Sequence, residues 1–141
     1  MSWDVIIVNS LEKYPPEKVW DGSMDALPFG PIEEMHKKIN AFFPKTTWFE
    51  PAYTKLDNGL LVGNISFSEN EPVFGSFTLN IYRGTDPINM ISLLCAEYNW
   101  TAFDTSTSEY IENGFQNNNG WEQFNKYKQQ VLKTIEIYKY N

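Results

Sequence analysis

Few side chains in this sequence combine reactive chemistry with a spacing that would put it to use. Cys95 is the only cysteine and His36 the only histidine, and they stand far apart along the chain. A thiolate nucleophile needs a base within hydrogen-bond reach. A Cys-based zinc site or an intramolecular disulfide needs more than one sulfur. Cys95 falls instead in the helical stripe Ile88, Ile91, Cys95, Tyr98 and reads as a small buried hydrophobe. His36 follows Ile32 by four residues and lacks an HExxH-type partner, so it reads as a boundary histidine with one edge wet, and no metal is expected. Asp104 and Glu109 border the Ser/Thr-rich turn Ser106–Ser108, and paired carboxylates can share acid and base roles. A turn bordered by acids is commonplace, however, and nothing in the sequence marks either group as buried. Catalysis is not expected of them.

Arg83, the only arginine, follows Tyr82 at the end of a long alternating stretch. Its planar guanidinium suits bidentate recognition of a carboxylate or phosphate, while its plainer use is a surface ion pair of small energetic worth. The single Gly84 after it is no phosphate cradle. GxGxxG and GxxxxGK[ST] are both absent, so no cofactor is expected. What remains is recognition. With 18 acidic and 11 basic residues the formal charge is −7 and the pI near 4.6, which disfavours nucleic acid and favours a basic partner. The charge is uneven: residues 1–120 carry −9 and residues 121–141 carry +2. The candidate binding residues are therefore Trp20 and Asp21 in an aromatic-rich connection, the loop acids Glu69 and Glu71, and Tyr82, Arg83, Asp104 and Glu109.

The elements that must position these groups are legible in the periodicity. A chain of 141 residues, 42% hydrophobic and 16% aromatic, is long and apolar enough for one core, so residues 1–141 are read as a single domain. Trp3 to Asn9 is apolar on both faces and too short for a helix, which fits an interior strand. Residues 10–30 are an irregular connection broken by Pro15-Pro16, Asp21-Gly22 and Pro28, with room for one helical turn at PPEKVW. Pro31 to Phe43 is a helix with Gly30 at its N-cap, a core stripe of Ile32, Met35, Ile39 and Phe42, and Glu33/Glu34 placed to pair with Lys37/Lys38. Trp48 and Phe49 are expected in the core. Tyr53 to Leu56 reads as an edge strand, Asn58-Gly59 as a hairpin turn, and Leu60–Phe67 and Val73–Tyr82 as two alternating strands. A sharp turn at Arg83-Gly84 leads to a helix opened by Asp86-Pro87. A short strand near Ala102–Thr105, a brief return at Tyr110, and a final helix striped by Trp121, Phe124, Val131, Ile135 and Tyr138 complete the chain.

Several of these segments together resemble a group of small bacterial proteins that lack an assigned activity. The resemblance rests on the opening Ser2-Trp3-Asp4-Val5, a helix ending in Phe43-Pro44, Trp48 with Pro51-Ala52, Glu71-Pro72-Val73, and a strand ending in Arg83-Gly84. It closes with Trp100-Thr101-Ala102, Asp104 and the turn ending Ser108-Glu109-Tyr110, where such proteins show T-G-E-F. It spans about residues 2–112. Two departures stand out: one glycine rather than several after Arg83, and Ser108 in place of the turn glycine. The resemblance implies an architecture and no chemistry.

The expected fold is α+β: a single, mostly antiparallel sheet with about three helices packed on it, in the order β-α-β-β-β-α-β-α. The expected function is that of a non-enzymatic, immunity-like binding module for a basic protein. The alternative is a small-molecule binder or enzyme at the Arg83 turn. No apolar run nears the ~20 residues of a membrane helix, and the N-terminus lacks the basic, then apolar, pattern of a signal peptide. A cytoplasmic, non-membrane protein is expected, and a homodimer through Trp20 or the final helix is compatible with the pattern.

Overall fold

The computed structural model describes residues 2–68, 72–85, 87–111 and 120–140, with side chains described to Ile137. Six strands and four helices follow one another as β1 (Trp3–Val8), α1 (Pro16–Asp21), α2 (Ile32–Phe42), β2 (Tyr53–Asp57), β3 (Leu61–Ser66), β4 (Ser76–Gly84), α3 (Pro87–Tyr98), β5 (Thr101–Asp104), β6 (Glu109–Tyr110) and α4 (Gly120–Tyr140). The strands form one antiparallel sheet in the order β2-β3-β4-β1-β5-β6. β1 is thus interior, as its doubly apolar pattern requires. β4 and β5 both run opposite to β1 and hence parallel to each other, so α3 crosses over the strand between them.

Alternation in β1 decides the layering. Trp3, Val5 and Ile7 face Ile81, Leu79 and Phe77 of β4 on one side of the sheet, where α2 (Met35, Ile39), α3 (Ile91, Leu94) and α4 (Trp121) cover them. Each such fully buried aliphatic contributes on the order of 1.5–3 kcal/mol. Val8 and Phe103 face the other way, onto Tyr14 and Val19 of the α1 segment. This second layer is small. Toward β2, β3 and β4 the same face is polar: exposed Lys55, buried Asn64 and half-buried Asn80 and Asp4 lie side by side in one row across four strands.

Several local expectations change in the folded chain. Arg83-Gly84 is no turn: the strand runs through Gly84, which pairs with Leu61, and a Cβ there would meet the Leu60 carbonyl. Gly84 serves close strand approach rather than reversal. Phe49 is 90% exposed while Trp48 packs, because Trp48 stacks on His36 (3.9 Å) and donates its indole N–H to Asn40 Oδ1 (2.9 Å), which turns the next side chain outward. Pro31, not Gly30, is the α2 N-cap. Lys38, expected beside Glu34, lies over the Tyr98 ring at 5.4 Å. The α4 stripe is only partly used: Trp121 packs on Trp3 at 5.4 Å, whereas Ile135 is exposed. A 21-residue helix is about 31 Å long; Lys128 Nζ donates to the Tyr82 carbonyl (2.8 Å), while Tyr127, Leu132 and Ile137 are exposed. The α4 position of Tyr138 and the N-cap role of Asp86 lie outside the described side chains.

Candidate interaction surface

α1 is short, and its placement comes from its ends. Pro15 precedes Pro16, which is tolerated at a helix start, and Gly22 ends it in the left-handed region (φ 72°), where the missing Cβ removes the steric cost. One turn of helix exposes Glu17 and Asp21 while Val19 is buried against Val8 and Phe103. Tyr110 Oη donates to the Tyr14 carbonyl at 2.9 Å and ties the segment to β6.

Trp20 lies at the margin of this contact. Its ring meets the fully buried Phe103 edge-on at 6.0 Å, and its indole N–H donates to Ser108 Oγ at 3.2 Å. Yet the side chain is 55% exposed. Ser108 has φ 55°, a region that costs a non-glycine residue. Serine at this turn position therefore trades backbone ease for a hydroxyl that receives the indole. Ser108, a non-glycine residue in the left-handed region, is thus the residue that holds the Trp20 indole. Along the chain, the exposed charges of residues 10–27, together with Glu109 next to Ser108, are five carboxylates (Glu12, Glu17, Asp21, Asp25, Glu109) against Lys13 and Lys18. Hydrogen bonds from the Ser23 side chain and amide (N–H to Oδ1, 2.8 Å), with the charge of Lys18, hold Asp21 below its ordinary value of 3.8, so it stays ionised in weak acid.

Tyr82 and Arg83 lie apart from Trp20, on β4. Tyr82 and Arg83 together oppose Val62, because the β3–β4 register shifts between Val62 and Gly63. Such a bulge re-aims side chains, and both residues are exposed at the end of β4. Asn64 donates to the Tyr82 hydroxyl, and Asn80 Nδ2 donates to Asp4 Oδ1 at 2.8 Å. An open groove of about 1050 Å³ lies along β2 and the 44–50 loop, away from Arg83. Asp104 is not on the surface at all. It is fully buried on the helix face, where its Oδ1 accepts from the Ser106 amide (2.8 Å) and hydroxyl (2.7 Å) and its Oδ2 is turned on Gly120, the first residue of α4. A carboxylate at a helix N-terminus is favoured by the helix dipole. Its Oδ2 has no hydrogen-bond partner among the described residues, and the exposed Glu109 beside it in the ladder is the only one of the two open to a partner. Glu69 and Glu71 lie outside the described residues.

The remaining reactive groups fit structural uses. His36 Nε2 lies 2.7 Å from the Pro51 carbonyl, so that nitrogen carries the proton. Cys95 is partly buried on α3, and desolvation pushes its thiol from 9.0 up to about 12. A folded-state value above the unfolded one means the thiol's contribution is intact below pH 9.0 and is lost as pH rises toward 12. Native protein should accordingly resist iodoacetamide at pH 8, with alkylation appearing only when denaturant exposes the helix. Rapid alkylation of the folded chain, read by mass spectrometry, would contradict this placement. Among the described residues no group of three or more His, Cys, Asp or Glu side chains could hold a metal ion, and no helix is long and apolar enough to cross a membrane. No protein family, curated protein or solved structure was found to match the chain.

Proposed function

We propose that this protein is a non-enzymatic binding module that recognises a basic protein through Trp20 and the carboxylates around it, in the manner of an immunity protein that neutralises a cationic toxin. The observation that supports this reading is a tryptophan held by a perpendicular contact with Phe103 and by its indole N–H, yet left half exposed on a helix that also exposes Glu17 and Asp21. An ordered aromatic anchor binds with little further entropy loss, and its exposed ring surface suits a lysine or arginine of the partner. The acidic rim would speed encounter and make it salt-dependent.

Pull-downs from the native lysate at low and high salt test the idea, with wild-type and Trp20→Ala baits side by side. A basic protein should be retained at low salt and weakened by high salt. Trp20→Ala should reduce its affinity about 30-fold, the ~2 kcal/mol expected of a hot-spot aromatic. Retention that ignores both salt and Trp20, or no retained partner at all, defeats the proposal.

A further inference from the structure

The two edges of the sheet are treated differently. β6 is only two residues long and is flanked by the α1 segment, whereas β2 offers five residues and has no strand beyond it among the described residues. Short or covered edges resist pairing; long open ones invite it.

The ladder shows which backbone groups of β2 are on offer. Phe67 N–H bonds the Ala52 carbonyl (2.8 Å) and Asn58 N–H bonds the Leu61 carbonyl (3.3 Å), so 52/67 and 58/61 are hydrogen-bonded pairs. Such pairs alternate in an antiparallel ladder, which assigns Thr54 and Leu56 inward to β3 and leaves Tyr53, Lys55 and Asp57 with N–H and C=O turned outward. The Tyr53 amide is turned back on Glu50 at 3.4 Å, and the Lys55 carbonyl receives only a long 3.5 Å contact from Thr54 Oγ1. From Lys55 to Asp57 the edge is open, and the groove of about 1050 Å³ alongside it is rimmed by the 90% exposed Phe49.

We infer that β2 pairs with β2 of a second copy of this chain, antiparallel and about a two-fold axis at Leu56. In that register Lys55 of each copy stands opposite Asp57 of the other, both on the open polar face, and the outward N–H and C=O groups of the two residues meet in reciprocal hydrogen-bonded pairs. Opposite charges directly across strands stabilise and like charges destabilise. A register centred on Lys55 would set two ammonium groups face to face, and a slip by one residue would send Leu56 to the polar side. A lone lysine in an edge strand normally guards against pairing. Here Asp57, two residues on, answers that charge in one register and in an isologous geometry. This surface lies at the opposite end of the sheet from Trp20, so it stands independently of the binding reading above.

Sedimentation equilibrium of the full chain from about 10 µM to 1 mM, the range expected for a small interface, tests the inference. The wild type should show a monomer–dimer equilibrium that weakens with salt. Lys55→Asp alone and Asp57→Lys alone should each weaken dimerisation by about 10- to 30-fold, and the double swap K55D/D57K should restore it, because the pairs re-form with inverted polarity. Both side chains are exposed, and although Asp57→Lys also gives up the Gly59 amide bond to Asp57 Oδ1 (3.0 Å), circular dichroism should show the fold retained in all three. Lys55→Pro, which deletes an outward amide that β3 does not use, should abolish dimers while keeping the fold. A monomer throughout the range, a dimer indifferent to these variants, or a swap that fails to rescue would each overturn the inference.

Discussion

Gly63→Ala should destabilise the protein by about 3 kcal/mol or more, seen as a lower denaturation midpoint with little change in m. A Cβ on Gly63 would collide with the Asn80 carbonyl oxygen and lie 3.0 Å from the Asn80 carbonyl carbon and the Ile81 Cα, all backbone atoms of the neighbouring strand. A side-chain clash can relax by a rotamer change, but here the strands themselves must part. The site is also the register shift that sets Tyr82 and Arg83 together against Val62. Gly59→Ala makes a useful contrast. Nothing lies within 4 Å of its added Cβ, and the cost should come only from its φ of 83°, about 1 kcal/mol. If the two substitutions cost the same, the close approach at β3–β4 is wrong.

Asp104→Ala should cost about 2–4 kcal/mol, because it strips two hydrogen bonds from Ser106 and removes the carboxylate on which the α4 N-terminus sits. Asp104→Asn retains the shape and an acceptor for Ser106, and should lie between alanine and wild type. Gly120 sharpens the test. A Cβ there would fall on Asp104 Oδ2 and come 2.8 Å from Ser106 Oγ, and Asp104 cannot swing aside while Ser106 holds it. Gly120→Ala should therefore be strongly destabilising in the wild type and much less so in the Asp104→Ala background. Chemical denaturation of the four proteins gives the coupling energy, expected at about 1–3 kcal/mol. Additive effects would show that Asp104 and the helix start are not in contact.

These two sites show where periodicity stops informing. Strand alternation says that position 63 belongs to the inward face of β3, but only the partner strand determines that its Cβ would meet backbone. The turn pattern around Ser106–Ser108 marks Asp104 as a turn-flanking acid. Its burial follows from β5 pairing with β1 in a register that sets Asp104 opposite Val5, on the face that α4 covers. No neighbour in sequence encodes that. The position of Trp20 is an intermediate case: its loop and its acids are legible, whereas its half-exposed, doubly held state depends on Phe103 and Ser108, more than 80 residues away in the chain.

By itself the sequence determined the element types, the interior place of β1, the β2–β3–β4 meander and the short return at Tyr110, because each rests on local alternation, helical stripe or turn chemistry. It also carried the acidic balance and the lack of a metal-binding or nucleotide motif. The tertiary structure alone decided which edge is open, that Arg83 rides a bulge rather than a turn, that Phe49 and the latter half of α4 face outward, and that Asp104 serves α4. Those outcomes depend on which strand or helix arrives from far along the chain to cover a residue, and that long-range pairing leaves no mark on the residue's own neighbours.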